Sequence, residues 1–225
     1  MIKIENVVTP SDEQWEAVVR GVRNPYASWE KSDGTWNQTW VWLDEDHQVV
    51  KKEEFYSVGD DNLKLMMKLA HAGDDHGKFL RMLPVICDIT APLTWWKHMD
   101  QYKVGTVTDS TSTMHCIQKE EFSLDMFDTA NIDDETMPIM MDVVKELNRC
   151  RTLYNTTKDK RYWNSMINLL PESYHQKRTW SGNYQTLKHI YHARKNHRLL
   201  DWETFCAFIT TLPLAEQLIV DAEEE

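Results

Sequence analysis

The spacing of apolar and polar residues changes several times along the chain, and each spacing predicts one kind of element. The opening MIKIENVV alternates as a half-buried strand does, and TPS then ends the alternation. Ser11 and Gln14 have the spacing of a capping box. An apolar stripe at helical spacing follows, formed by Trp15, Val18, Val19 and Val22. We predict a strand and then a core-facing helix.

Residues 33–58 carry two aromatic and β-branched runs around the polar turn Asp44-Glu45-Asp46, a pattern that predicts a β-hairpin. A helix should follow, with Asp60 or Asp61 as its N-terminal cap. It should end near Gly73, because glycine suits the left-handed position that often terminates a helix.

The next segments predict one buried strand and one aromatic-rich helix. Residues 82–89 are short and apolar, as in a buried strand, and residues 93–102 continue as a helix. Trp95 and Trp96 in this helix are interpreted as core or interface packing.

The C-terminal half is predicted to be helical. Its four predicted helices cover residues 134–156, 159–169, 183–195 and a last segment capped by Asp201. Few strands, many helices and no regular βαβ alternation indicate an α+β fold with a small, mainly antiparallel sheet.

Composition and charge restrict the class of protein. The 225 residues suit a single domain, taken as residues 1–213, followed by an acidic tail over 214–225. The net charge of -11 argues against duplex nucleic acid as a partner, since such binding needs clustered Lys and Arg. With no membrane-spanning apolar run and no signal-peptide pattern, we expect a cytoplasmic protein. The four cysteines lack C-x-x-C spacing and are expected to be reduced, mostly buried thiols.

A run rich in hydroxyl groups is the first candidate binding segment. Six Ser or Thr residues lie between Thr106 and His115, and Gly105 stands just before them. Such a run suits a phosphate or a sugar. An ordinary polar loop is the alternative, and a Ser-His-Asp hydrolase is disfavoured because no G-x-S-x-G motif occurs.

The helix YQTLKHIYHARKNHR is the one basic segment in this acidic chain. Its cations suit an anion, although a solvated helix face is the alternative. His189 and His192 have a spacing that can bind a metal, but no Asp or Glu lies among them, so no metal site is predicted.

Two segments carry a resemblance to a known family. The first is DDHGKFLRMLPVICDITAPLTWWKHMDQYK and the second is LLPESYHQKRTWSGNYQTLKHIYHARKNHRLLDWETF. The second contains Leu-Pro, then Asn183 twelve residues later, then Arg194 and His197. With these features the chain, from about Ile2 to Pro213, resembles the flavin-dependent thymidylate synthases, also called the thymidylate-synthase-complementing family.

The resemblance implies a fold, ligands and an assembly. It implies FAD as cofactor, dUMP or a related pyrimidine deoxynucleotide as substrate, and folate and NADPH as co-substrates. The flavin would carry the redox chemistry while the protein supplies binding and electrostatics. The resemblance also implies a homotetramer whose sites form where subunits meet.

Site residues are implied by position in the same resemblance. The flavin would be bound by four residues, His76, Asn183, His189 and His197. Ser112 and Arg194 would face the nucleotide, and Ser110, Lys103 and Arg178 join them as candidate substrate contacts. No catalytic residue is assigned.

The chain also departs from the family pattern. Gln101, Tyr102 and Lys103 stand where Arg-His-Arg is expected. Further arginine positions hold Met114 and Ile167, and His115 replaces a tyrosine. Because charge-assisted phosphate contacts are strong, other cations must compensate, and the candidates are Lys97, His98, Lys103 and Arg178.

Three hypotheses follow. The chain is a divergent flavin enzyme that transfers a one-carbon unit to a pyrimidine nucleotide, a non-catalytic nucleotide or flavin binder, or a structural oligomer that binds a protein partner. A shared fold alone does not decide among them.

Overall fold

The computed structural model describes residues 2–42 and 49–221. Its strands are β1 (Lys3–Val8), β2 (Thr35–Trp42), β3 (Val49–Ser57), β4 (Pro84–Pro92), β5 (Val107–Ser110) and β6 (His175–Asn183). Its α-helices are α1 (Asp12–Arg23), α2 (Asp60–His71), α3 (Leu93–Met99), α4 (Thr113–Cys116), α5 (Thr136–Thr157), α6 (Lys160–Leu169), α7 (Tyr184–Arg194) and α8 (Leu200–Thr210). None of the helices in these ranges is long and apolar enough to cross a bilayer.

An antiparallel sheet with strand order β1-β4-β6-β5 lies at the centre, and β2 and β3 form a separate hairpin. The predicted α+β class with a small antiparallel sheet flanked by helices is therefore confirmed. The two hairpin strands are confirmed as well, while the turn predicted at residues 44–46 lies outside the described residues.

Helix α1 forms as the sequence predicts. Ser11 and Gln14 make the reciprocal hydrogen bonds of a capping box. The predicted apolar stripe is buried: Trp15, Val18, Val19 and Val22 are each at most 6% exposed. The stripe belongs to the main hydrophobic core, which fixes the orientation of the helix.

Strand β6 is an inner strand that the sequence pattern did not predict. It pairs with β4 on one side and β5 on the other, so it is an inner strand of the sheet. Gln176, Trp180 and Gly182 are buried, whereas Lys177 and Thr179 are exposed. Buried and exposed residues alternate as in a strand, but most of the residues are polar, so the sequence shows no apolar alternation. Gly182 is required here because the indole ring of Trp180 occupies the space of a Cβ.

Four tryptophans fill the core behind this sheet. Trp95, Trp96, Trp180 and Trp202 are each at most 1% exposed, which confirms packing as the role of Trp95 and Trp96. The ring centroids of Trp95 and Trp202 lie 5.0 Å apart. Burial of such large rings is a major stabilising contribution to the fold. A second cluster lies under α5 and α6.

Two predicted helix caps are wrong. The N-cap of α2 is Gly59, and the backbone N–H groups of Asp61 and Asn62 donate to the carboxylate of Asp33 instead, at 2.8 and 3.0 Å. Partial burial raises the pKa of Asp33, but these two donors outweigh it, so its pKa is lowered. Asp201 lies within α8, where its carboxylate accepts a hydrogen bond from the N–H of Ile2 at 3.0 Å.

The hydroxyl run and the C-terminal segment also have defined structure. Part of the run forms β5, an edge strand, so it is not wholly a loop. Near the C-terminus, residues 216–220 form a π-helical turn whose Leu218 and Ile219 are fully buried. The division into a domain over 1–213 and a tail over 214–225 stays a prediction. All four cysteines are free thiols, and only Cys116 is not buried.

Replacing Asp33, whose carboxylate accepts from the first N–H groups of α2, tests its role as the cap of this helix. We expect Asp33→Ala to lower the free energy of unfolding by about 1 kcal/mol, because two backbone donors lose their acceptor. Asp60→Ala is the matched control and should cost about 0.3 kcal/mol, the loss of a helix-dipole interaction. Urea unfolding measures both, and equal losses would contradict the assignment.

Candidate functional site

A cleft of about 370 Å³ lies between three segments that are distant in sequence. One wall is the loop from Gln101 to Gly105, which links α3 to β5. The opposite wall is the first turn and a half of α7, and the third side is the 3-10 helix Gly77–Met82 with the turn before it. Loop backbone, a helix N-terminus and charged side chains therefore face one volume.

Asn183 holds two of these walls together. Its Oδ1 accepts a hydrogen bond from the Thr186 N–H at 3.0 Å, which caps α7. Its Nδ2 donates to the Gly105 carbonyl at 3.3 Å, and the Thr186 hydroxyl donates to the Val104 carbonyl at 3.1 Å. One N–H of the Asn183 amide is left for a ligand.

Gly105 is required by this contact. Its φ is +72°, and a Cβ at this position would lie 2.7 Å from Nδ2 of Asn183. Both the left-handed backbone and the close approach exclude a larger residue without displacement. The group that closely approaches the Gly105 backbone is therefore a side chain of the same chain.

His189 and Asp74 form a polar pair at the cleft. Nε2 of His189 lies 3.1 Å from Oδ1 of Asp74, and both side chains are about half exposed. The hydrogen bond from His189 is the main reason that the pKa of Asp74 is lowered, and a hydrogen bond from Gln185 adds to it. This carboxylate stays ionised and is already engaged by neighbouring donors.

Arg81 is a cleft residue that sequence reasoning missed. Its Nε donates to Oε1 of Gln185 at 2.5 Å, and Gln185 is only 5% exposed. The two residues are separated by 104 positions. No motif marks either of them, so only the fold brings them together.

Three of the predicted site residues meet in the cleft, namely Asn183, His189 and Lys103. The other predicted flavin residues lie elsewhere. His76 is exposed in the turn before the 3-10 helix and does not line the cleft. Nδ1 of His197 accepts from the Leu199 N–H at 3.1 Å, and burial, with Arg194 nearby, lowers the pKa of His197. The predicted ligand roles of all these residues stay predictions.

Arg178 already has partners within the chain. It contacts Asp100 at 2.8 Å and lies 4.3 Å above the ring of Trp96. Its Nε also donates to Gln176. The proposed compensating residue Lys97 pairs with Glu172 in the same way. Neither of these two cations lines the cleft.

Arg194 does not line the cleft, but it contacts Tyr102, which does. Its Nε donates to the Tyr102 hydroxyl at 2.8 Å, and its guanidinium lies 4.9 Å from the ring centroid of Trp202. Tyr102 itself lines the cleft. Arg194 therefore supports the position of Tyr102 by stacking and hydrogen bonding.

The two predicted serines lie away from the cleft. Ser110 is exposed on β5, opposite Arg178 in β6. Ser112 precedes α4 and lines a separate cavity of about 180 Å³ with His175 and Lys177. Of the segment from residue 103 to 115, only residues 103–105 line the cleft. Within residues 2–42 and 49–221, no three His, Cys, Asp or Glu side chains cluster as metal ligands do.

The contact between Gly105 and Asn183 can be tested by adding a single methyl group. We expect Gly105→Ala to lower the free energy of unfolding by about 1 kcal/mol more than Gly73→Ala. Both positions have positive φ, but a Cβ at Gly73 meets nothing within 4 Å. Urea unfolding of the two variants gives the difference, and equal losses would show that the loop does not depend on this contact.

Comparison with known proteins identifies the fold. No protein-family model matches the sequence, and no curated protein does. Among solved structures, the chain is similar to thymidylate synthase X (ThyX) from Helicobacter pylori with FAD and dUMP. The TM-score is 0.66 at 16% identity, over 98% of this chain and 97% of the other.

A second structure, flavin-dependent thymidylate synthase ThyX from Helicobacter pylori complexed with FAD and dUMP, gives the same result. Its TM-score is 0.65 at 16% identity, over 99% of each chain. The likeness runs through the entire chain, so the resemblance seen in the sequence is confirmed at the level of the fold. This chain has the fold of the flavin-dependent thymidylate synthases.

Proposed function

We propose that this chain is a divergent flavin-dependent thymidylate synthase-like protein that binds FAD and a pyrimidine deoxynucleotide. The observation that carries the proposal is the whole-length likeness to two structures that contain FAD and dUMP. Because the identity is 16%, the ligands are argued here from the residues of the cleft.

The chemistry of the cleft suits the phosphate-bearing part of such a ligand. Arg81 and Lys103 supply positive charge, and Asn183 has one amide N–H left for a ligand. The volume of about 370 Å³ lies near the lower end of the range for small-molecule sites. It suits a nucleotide-sized group, and the remainder of a dinucleotide would extend beyond this cleft.

The limited volume of the cleft is also the reason that the proposal includes a homo-oligomer. A cleft too small for a whole dinucleotide is completed if another subunit supplies a further wall. A homotetramer, as the sequence resemblance implies, would provide such walls where its subunits meet.

The residues of the cleft would bind and orient the ligands. Asn183 offers one free amide N–H. His189 is oriented by the contact of its Nε2 with Asp74 and offers its other ring nitrogen, Nδ1. Lys103 offers an ammonium group as a point charge. A bound flavin would supply the redox chemistry, and folate and NADPH would be the co-substrates for one-carbon transfer to dUMP.

A non-catalytic binder is the second candidate, and one observation favours it. Gln101 and Tyr102 line the cleft where the family pattern has two cations, and Arg178 is engaged by Asp100 and Trp96. Such a site can retain binding while losing the charges that stabilise a transition state.

Flavin binding is the direct test of the proposal. We expect the purified protein, after incubation with FAD and removal of excess, to keep flavin absorbance. His189→Ala should weaken FAD binding about tenfold, because one hydrogen bond to the flavin is lost. His71→Ala is the matched control, since His71 is exposed at the end of α2 and away from the cleft.

Two outcomes decide between the candidates. Wild type that never acquires flavin absorbance would contradict the proposed function. If flavin and dUMP bind, formation of dTMP from dUMP with methylene-tetrahydrofolate and NADPH supports the enzyme. Binding without turnover under those conditions supports the non-catalytic binder.

A further inference from the structure

We propose that Arg81 and Lys103 form the anion-binding pair of the cleft, specific for a phosphate monoester, and that Gln185 positions Arg81. The identity of the group that carries the phosphate rests on the proposed function. The anion site itself is argued from the contacts below and does not need a flavin.

The guanidinium of Arg81 is anchored at one end and open at the other. Its Nε is held by Oε1 of the buried Gln185 at 2.5 Å. Within the described ranges, no hydrogen bond or ion pair of its two terminal nitrogens is found. A guanidinium fixed at Nε presents its terminal N–H groups in a planar fork, a geometry that matches phosphate oxygens.

Lys103 is the second cation, on the opposite wall. It is exposed in the middle of the loop that follows α3. Its ammonium group has no carboxylate partner among the described residues. Other cations near the sheet differ from it. Lys97 pairs with Glu172 and Arg178 pairs with Asp100. Arg81 and Lys103 are the Lys and Arg residues that line the cleft, and within the described ranges neither has a carboxylate partner.

The carboxylate at the cleft does not cancel this charge. Asp74 receives hydrogen bonds from His189 and Gln185, which hold its pKa below the usual range. Gln185 thus accepts from Arg81 and donates to Asp74, which keeps the cation and the carboxylate at fixed positions. Two cations against one engaged carboxylate leave a local positive excess in a chain of net charge -11.

This geometry favours a phosphate monoester over an uncharged sugar. A dianion accepts the guanidinium fork and still offers an oxygen to the ammonium group. The hydroxyl-rich run, which would suit a sugar, has its Ser110 and Ser112 outside the cleft. The compensation for the missing Arg-His-Arg cations therefore comes partly from Arg81, a position that the family resemblance did not indicate.

The test is calorimetric titration of wild type and variants with dUMP, deoxyuridine and inorganic phosphate. We expect Arg81→Ala to weaken dUMP binding tenfold or more, about 1.4 kcal/mol, and to leave deoxyuridine binding unchanged. The dUMP affinity of Arg81→Lys should lie between those of wild type and Arg81→Ala, because lysine keeps the positive charge but lacks the planar fork of N–H donors. Lys78→Ala is the matched control: it removes one positive charge from the same 3-10 helix outside the cleft and should change affinity less than twofold.

The positioning role of Gln185 needs a readout that general destabilisation would not give. We expect Gln185→Ala to weaken dUMP binding, and the double variant Arg81→Ala/Gln185→Ala to bind as Arg81→Ala does. Thermal melts of each variant establish that it is folded at the titration temperature. Additive losses in the double variant would contradict the positioning role.

The outcomes separate this inference from the proposed function. Equal dUMP affinity in Arg81→Ala and Lys78→Ala would overturn the anion site while leaving nucleotide binding intact. If wild type binds neither dUMP nor deoxyuridine, the proposed function fails. The titration with inorganic phosphate then tests the anion site by itself. Phosphate bound by wild type and lost in Arg81→Ala supports the anion site, and no phosphate binding by wild type overturns it.

Discussion

The side chain of Asn183 joins two segments that are 78 residues apart, and the cleft exists because of that junction. The same amide caps α7 and bonds the carbonyl of Gly105, so the start of the helix and the loop are fixed by one group. Thr186 adds a second bond, to Val104. A helix N-terminus and a loop backbone held in this way form a preorganised polar surface, which reduces the ordering cost of binding a ligand.

The core explains why this junction has a fixed position. Strand β6 ends at Asn183, and its pairing with β4 and β5 sets the point at which α7 begins. Trp180 and Trp202 pack behind it in the main cluster. Arg194 stacks on Trp202 and bonds Tyr102, so the loop that lines the cleft is linked to the core from behind. Arg194 thus has partners within the scaffold, and its predicted contact with a nucleotide stays a prediction.

Local patterns predicted the elements whose physics is local. The capping box and apolar stripe of α1, the hairpin strands and the long helix α5 depend on neighbouring residues, so the sequence reveals them. Strand β6 was missed because its buried face includes Gln176 and Gly182, which are not read as core residues. The cap of α2 comes from Asp33, a residue 28 positions before the first N–H that it binds, and no local rule indicates such a contact.

The same limit applies to the candidate site. Asn183, His189 and Lys103 were predicted from the family resemblance, and the fold brings them to one cleft. Arg81 was not predicted, because its hydrogen-bond partner is a buried glutamine 104 positions away. Ser112, Arg178 and His197 carry the expected chemistry at positions that face other parts of the structure.

Hydrogen–deuterium exchange with and without FAD and dUMP tests the central claim, that the loop and the start of α7 form one binding surface. The account predicts that peptides covering residues 101–106 and 183–189 become protected together when the ligands are added. Protection confined to residues 106–115, or to the C-terminal end of α7, with no change at Asn183, would contradict it.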